Sequence, residues 1–185
     1  ADSRARRAAQ NALYHITHSL IRLLAPILSF TAEEVWRHLS QDENDSVFLH
    51  TWHTLPALHN AAEIRERWQK LRQVRARVQK QLEELRAVGS IGSSLAAEVE
   101  LYAQGEMLSF LESFGDDLRF AFITSQARVV KGAHPEALRV LPSSHPKCQR
   151  CWHYRADVGA DKNHASICGR CVSNLYGSGE TRHFA

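Results

Sequence analysis

The sequence predicts a mainly α-helical protein with a small α+β part and a C-terminal module built around four cysteines. Three observations support this fold class: an apolar stripe at helical spacing over seven turns, short strand-like segments after a glycine-rich break, and a cluster of all four cysteines. The composition, with 44% hydrophobic and 23% charged residues, is that of a globular protein. No apolar run is long enough to cross a bilayer, so we expect no membrane contact.

The first 57 residues are predicted to begin with an amphipathic helix. Leucine and isoleucine recur at steps of three and four through residues 4–28, and Pro26 should end or kink this helix. Because residues 1–57 hold too few helices to cover the apolar face, we expect that face to be exposed or covered by a second copy of the chain. The face is represented by Leu13, Leu20 and Ile27.

A second helix is expected after Thr31. Thr31 and Glu34 have the spacing of a capping box, in which each side chain accepts a hydrogen bond from the other residue's backbone amide. The helix should bury Val35 and Leu39, with Trp36 at its flank. Residues 47–52 have the β-branched and aromatic content of a short strand.

Residues 61–88 carry the strongest periodic signal, a single apolar stripe that predicts one long helix. The glycine- and serine-rich segment 89–94 ends it. The elements predicted after this break are strands at 98–103, 127–130 and 138–141, and one helix or two around Gly115 within 106–122.

Charge is unevenly distributed along the chain, although the formal net charge is only +3. Residues 61–90 hold eight Lys and Arg against four Glu, and residues 143–185 hold six against three acids. Such segments attract phosphate, but they are equally typical of solvated helix faces. Charge alone therefore does not decide the function.

The cysteines form two CxxC pairs, Cys148 with Cys151 and Cys168 with Cys171, separated by sixteen residues. This spacing predicts a tetrahedral zinc site. Four thiolates leave no open position for water, so the zinc should be structural, and it should hold a module too small to build its own core. The alternatives are two disulfides, which need an oxidising compartment, and a redox CxxC, which needs only one pair.

With these motifs in hand, the chain resembles the bacterial isoleucyl-tRNA synthetases. The runs CQRCWHY at 148–154 and ICGRCVSN at 167–174 are similar to the zinc module of that family. The run LAPILSFTAEEVW at 24–36 resembles the anticodon-binding helical bundle shared with the Val, Leu and Met enzymes. The resemblance implies an anticodon-binding segment at 1–57, a long helix with a junction domain at 58–142, and a zinc module at 143–185.

The resemblance also implies what the rest of such an enzyme does. The family joins isoleucine to tRNA(Ile) in the cytoplasm with ATP and Mg²⁺, and it edits mischarged valine in a separate domain. The ATP-binding signatures of the catalytic domain are absent here, and the run His15-Ile-Thr-His18 lacks the required glycine, so no catalytic residue is assigned. The chain has no initiator Met, and we expect it to be a piece of a longer protein whose catalytic and editing domains are its partners.

Five residues are candidates for tRNA contacts. By the resemblance, Arg150 and Trp152 approach the anticodon, where an indole can stack on an unpaired base and a guanidinium can bind its edge or phosphate. The alternatives are that Trp152 is only a lid over the zinc knuckle and that Arg150 only offsets thiolate charge. Arg170, Lys70 and Arg77 are candidates for phosphate contacts.

Two other functions stay open. The zinc module also resembles the finger of formamidopyrimidine-DNA glycosylases, which read duplex DNA. Those enzymes need a catalytic N-terminal proline, which this sequence lacks, so we expect no DNA partner. The second alternative is an assembly module that binds only the rest of its own synthetase.

Overall fold

The computed structural model describes residues 4–40, 42–132 and 137–180. Within this part of the chain, no helix has the combination of length and apolar character needed to cross a membrane. The helices are α1 Arg4–Leu24, α2 Ser29–Leu39, α3 Ala61–Ala87, α4 Gly105–Glu112, α5 Leu118–Phe122 and α6 Gly169–Tyr176. The strands are β1 Ala97–Ala103, β2 Gln126–Lys131 and β3 Leu138–Pro142. The predicted fold class is confirmed.

The described residues divide between Ala61 and Ala62 into two compact units. The second unit contains both the sheet and the cysteine module, which the sequence analysis assigned to separate domains. The finer division at residues 142 and 143 stays a prediction. The last five residues of the predicted zinc module, 181–185, lie outside the described part of the chain.

In the first unit, α1 and α2 pack around the indole of Trp36. This side chain is only 3% exposed, and its Nε1 donates to the Asp45 carboxylate at 3.0 Å. The predicted flank position of Trp36 is therefore wrong, as is the burial of Leu39, which is 37% exposed. Trp36 shares a face with Ala32 four residues earlier, and the carboxylate satisfies the indole N–H that burial would otherwise leave unpaired.

The predicted capping box at Thr31 is also wrong, because α2 begins at Ser29 and places Thr31 inside its first turn. The chain turns tightly after α1, with the amide of Leu28 bonded to the carbonyl of Leu24 at 2.8 Å. The Ser29 hydroxyl donates to the Ala25 carbonyl at 3.0 Å. Continuous backbone bonding through this turn leaves no isolated helix start that needs a cap.

The expected strand at 47–52 is a short 3-10 helix, Val47–Leu49. The Glu33 carboxylate accepts hydrogen bonds from the Val47 amide at 3.1 Å and from the Ser46 hydroxyl at 2.9 Å. The Ser46 hydroxyl in turn accepts from the Phe48 amide. Local side-chain partners therefore satisfy amides that a strand would have paired with a neighbouring strand.

The exposed apolar face predicted for the first helix is confirmed. Leu13, Leu20 and Ile27 are 60%, 49% and 77% exposed. Only Ile21 on α1 is buried, because it faces α2.

In the second unit, α3 shares one core with a three-stranded sheet and with the two helices that connect its first two strands. The strand order is β2-β1-β3, with β1 parallel to β2 and antiparallel to β3. Alternate residues of β1 face the helix, as the period of a half-buried strand requires. The predicted long helix and all three predicted strands are confirmed. The shared core includes Leu71, Val74, Val78, Leu82, Val99 and Leu101.

The connection from β1 to β2 contains two helices separated by Gly115, which has a φ of 52°. The second of these helices, α5, ends at Ile123, whose φ of 60° is rare for a β-branched residue. The next two residues, Thr124 and Ser125, are buried. This turn faces the cysteine module, as described below.

Candidate zinc centre and its surroundings

The first cysteine pair lies in a turn closed by an isolated antiparallel bridge between Lys147 and Tyr154. Inside the turn, the amide of Trp152 donates to the carbonyl of Cys148 at 2.9 Å. This tight loop directs the thiols of Cys148 and Cys151 to the same side of the chain.

The second pair is placed by the start of α6. Cys168 is the N-cap residue of this helix, and Cys171 lies in its first turn. Gly169 lies close to Asp157, because an added Cβ would come within 2.9 Å of the Asp157 carboxylate and make that side chain shift. That carboxylate accepts a hydrogen bond from the Gly169 amide at 3.1 Å. Sequence reasoning missed Asp157, since its partner lies twelve residues away.

The four sulfur atoms lie within 4.8 Å of one another. The sulfur of Cys148 is 3.8 Å from that of Cys171, and the sulfur of Cys151 is 3.8 Å from that of Cys168. A zinc ion bound tetrahedrally at ~2.3 Å from each sulfur requires sulfur separations of about 3.8 Å. The residues therefore fit this ion. All four cysteines are free and these sulfur separations are far longer than a disulfide bond, which disfavours the alternative of two disulfides.

The electrostatics of the cluster favour at least one thiolate. Burial opposes ionisation of the Cys148 thiol, but hydrogen bonds from nearby backbone amides outweigh it and lower its pKa to about 6. Burial raises the pKa of Cys168 to about 12, so without a metal this thiol stays protonated at neutral pH. The guanidinium of Arg150 lies 3.7 Å from the Cys171 sulfur, where its charge compensates thiolate charge.

Trp152 projects from the first cysteine turn towards solvent. It is 60% exposed, and its φ of 65° is a left-handed conformation that non-glycine residues seldom adopt. The Lys147 ammonium lies 5.3 Å from the centroid of the ring. A buried lid over the cysteines would show little exposure, so the geometry favours an indole that presents a face to a ligand.

Comparison with known proteins identifies the family. The model of an anticodon-binding domain of tRNA ligase matches residues 1–101, more than half of the chain. The chain belongs to the family of anticodon-binding domains of tRNA ligases. A second model, described as a zinc finger found in FPG and IleRS, matches residues 146–174 and takes in all four cysteines.

The curated relatives of this chain show which kind of tRNA ligase it resembles. An isoleucine--tRNA ligase from Nitrosomonas europaea is 60% identical over 97% of this chain, and one from Thiobacillus denitrificans is 59% identical over all of it. A third, from Aromatoleum aromaticum, is 54% identical. The chain spans about 20% of the length of each of these relatives. The resemblance to the isoleucine enzymes is confirmed.

The Arg170 side chain of this chain already has a partner, the Glu180 carboxylate. Its guanidinium donates from Nη2 to the Glu180 carboxylate at 2.9 Å and from Nε to the other oxygen. It also lies 5.1 Å from the centroid of the Phe120 ring. Glu180 therefore occupies the Nε–Nη2 edge of the Arg170 guanidinium, which disfavours the predicted phosphate contact.

Lys70 and Arg77 lie on α3 and are not part of the cysteine cluster. The Lys70 ammonium is 2.6 Å from the Glu106 carboxylate and 4.9 Å from the centroid of the Phe110 ring. Arg77 lines a small apolar pocket that also includes Met107. The Lys70–Glu106 pair lowers the pKa of Glu106 through its hydrogen bond, and it offsets the charge that a phosphate would seek.

The cysteine module is attached to the sheet through the turn that follows α5. The Ser125 hydroxyl accepts from the Tyr154 amide at 2.6 Å and donates to the Leu95 carbonyl. The rings of Phe120 and His153 meet edge to face, with centroids 5.8 Å apart. Sequence reasoning missed these contacts, because nothing in the sequence pairs residues about thirty positions apart.

Proposed function

We propose that this chain is the tRNA-recognising part of an isoleucine--tRNA ligase and that Trp152 and Arg150 contact the anticodon. The observation that carries this proposal is the exposed indole of Trp152, held in a left-handed turn beside the cysteine cluster. An exposed aromatic face next to basic side chains is suited to stacking on an unpaired base. The match to an anticodon-binding domain supports the same substrate class.

The proposed metal is one structural Zn²⁺ held by Cys148, Cys151, Cys168 and Cys171. The sulfur separations and the match to a zinc-finger model support this assignment. When bound, such an ion crosslinks the two cysteine turns and supplies no reactive position, because the cysteines fill its coordination sphere. The chain's own residues then hold Trp152 in place.

Arg150 has a double task in this proposal. Its guanidinium compensates the thiolates at Cys171, but the residue is exposed and keeps further donors for RNA. Lys70, Arg77 and Arg170 remain candidates for phosphate contacts, although the ion pairs of Lys70 and Arg170 weaken their case.

The activity of the whole ligase is part of the same proposal. The relatives are named isoleucine--tRNA ligases and are about five times longer than this chain. We assign the joining of isoleucine to tRNA(Ile), with ATP and Mg²⁺, and the editing reaction to partner domains of the same polypeptide in the cytoplasm. This chain contributes recognition of the tRNA.

Two alternatives are tested against this function. The duplex-DNA reader draws support only from the mention of FPG in the zinc-finger description, whereas the anticodon-binding model covers a different and larger part of the chain. The assembly module predicts no direct contact with nucleic acid. The exposed Trp152 does not separate the two functions, because an indole can also pack on a protein surface, but the match to an anticodon-binding domain favours tRNA.

A competition experiment separates these functions. The zinc-loaded chain is mixed with labelled tRNA(Ile) and challenged with unlabelled tRNA(Ile), the same tRNA with a changed anticodon, or duplex DNA of equal charge. Our proposal predicts that only the unchanged tRNA competes fully. Equal competition by duplex DNA would favour the DNA reader, and absence of any tRNA complex would favour the assembly module.

A further inference from the structure

The outward face of α3 is predominantly basic between its start and Gln81, with three cations and one acid. At 100° per residue, the positions opposite the buried stripe of this helix are 62, 65, 66, 69, 72, 73, 76 and 80, all of which the structure describes. Glu66, at the edge of this face, is the one acidic residue among these described positions. We call this face the outer stripe. Its charged and polar members are Arg65, Glu66, Gln69, Arg72, Gln73 and Lys80.

The other polar side of the same helix differs in charge. Lys70 and Arg77 lie there with Glu63, and Glu66 and Glu84 border this side, so the two cations are balanced locally. The two polar sides of the helix therefore differ in charge. The outer stripe is predominantly positive, and the flank carries both signs. The net charge of residues 61–90 does not reveal this, because it sums both sides.

Two members of the outer stripe have no competing partner. Among the residues that the structure describes, Arg72 and Lys80 are exposed and make no ion pair or side-chain hydrogen bond. Arg72 and Arg65 line an open groove with the amides of Gln69 and Gln73. Guanidinium and amide donors that face one groove are the groups that bind phosphate oxygens.

We propose that the outer stripe binds the phosphate backbone of the tRNA, at a second contact separate from the cysteine module. The proposal rests on the function proposed above. Successive cations at 65, 72 and 80 are spaced by about 10–12 Å along the helix axis, so they form a row that a polyanion can follow. The stripe has no aromatic side chain, so the contact should be independent of base sequence.

An acidic protein surface is the competing occupant. RNA is favoured because the chain already belongs to a family that binds tRNA, and because donors along one groove suit a repeating phosphate chain better than scattered carboxylates. The test below makes the protein surface one of its outcomes.

The test uses the zinc-loaded chain and two matched double variants. R72Q/K80Q removes two charges from the outer stripe, and K70Q/R77Q removes two from the mixed flank. We expect R72Q/K80Q to flatten the slope of log affinity for tRNA against log salt by roughly 1.5 units, as for two lost phosphate contacts. K70Q/R77Q should change the slope by less than half of this. We also expect bound tRNA to protect Lys80, but not Lys70, from acetylation.

Each negative outcome of this test leads to a different conclusion. Equal slopes for the two double variants, with Lys80 unprotected, overturn the proposal and leave the stripe as a solvated or protein-facing surface. If Trp152→Ala weakens binding in the same assay, the proposed function survives that failure. If the parent chain forms no tRNA complex, both the proposed function and the outer stripe are refuted.

Discussion

The hydroxyl of Ser125 accepts a hydrogen bond from the backbone amide of Tyr154 at 2.6 Å and donates one to the carbonyl of Leu95. One buried serine therefore ties the cysteine module to the turn between α5 and β2. Tyr154 closes the turn that carries Trp152, so this contact anchors the base of the loop from which the exposed indole projects. The sheet thus serves as the support of the proposed recognition loop.

Replacing Ser125 with alanine should weaken this attachment. The change leaves the Tyr154 amide and the Leu95 carbonyl without their partner, which costs ~1–3 kcal/mol of unfolding free energy. The measurements are urea unfolding and hydrogen exchange at the Tyr154 amide, which should speed up. Ser109→Ala is the control, because its exposed hydroxyl makes only a long bond of 3.5 Å. Unchanged exchange at Tyr154 would show that the hydrogen bond does not hold the module.

Removal of zinc should unfold the cysteine module and leave α3 folded. The buried cluster of this module consists of Cys148, Cys168 and Cys171, with the partly buried Cys151, Val158 and Ile167 against it. Such a core is too small to persist without the metal. Hydrogen exchange after chelation should show loss of protection in α6 but not in α3. Metal analysis should find about one zinc per chain, and retained protection of α6 in a zinc-free sample would contradict this account.

A cavity in the core under α3 should lower the free energy of unfolding. Leu82 is 1% exposed, and Leu82→Ala should cost ~2–5 kcal/mol because it removes buried methyl groups and leaves a void. Val88→Ala is the matched control, since Val88 is 74% exposed and its change should stay within about 0.5 kcal/mol. Chemical unfolding of both variants checks the prediction. Similar losses in the two would mean that α3 packs differently from the structure.

Stability of the first unit should fall in mild acid. Burial, followed by the charge of Arg22, lowers the pKa of His18 below its usual 6.5, and the same two causes lower the pKa of His53. The unfolded chain then binds more protons than the folded one near pH 6. The contribution to stability is therefore full above about pH 6.5 and is lost as the pH falls towards the folded-state pKa values.

Hydrogen exchange in α1 at pH 7.5 and pH 5.5, corrected for intrinsic rates, measures this effect. The parent should open more readily at pH 5.5. A His18→Gln, His53→Gln double variant should show a smaller difference between the two pH values. An equal difference in parent and variant would assign the acid sensitivity to other groups.

The parts of the fold that sequence predicted are those with a repeated or local signal. The apolar stripe predicted a helix that ends at Val88, one residue beyond the observed end of α3 at Ala87. The two CxxC pairs predicted the cysteine cluster. The expected strand at Val47 failed because the carboxylate of Glu33, fourteen residues earlier, binds that backbone amide. Residue preference carries no information about such a distant acceptor.

The individual site residues were harder to assign for a similar reason. In the sequence, Arg170 stands beside Cys171 and looks available for phosphate, but in the fold Glu180 binds its guanidinium. The sequence alone does not distinguish Lys70 from Lys80. Only the direction of each side chain on α3 separates the paired Lys70 from the exposed Lys80. Charge counts predict that a helix is basic, whereas the structure shows which face is.

The central claim is that Trp152 contacts the anticodon, and the affinity of zinc-loaded Trp152→Ala for tRNA(Ile) tests it most directly. The account predicts a loss of ~1–3 kcal/mol in binding free energy, because a stacking face is removed. Trp152→Phe, which keeps an aromatic face, should lose much less. Both variants must retain one zinc per chain, so that loss of the fold is not mistaken for loss of contact. A Trp152→Ala chain that keeps its zinc and binds tRNA(Ile) as tightly as the parent would contradict the account.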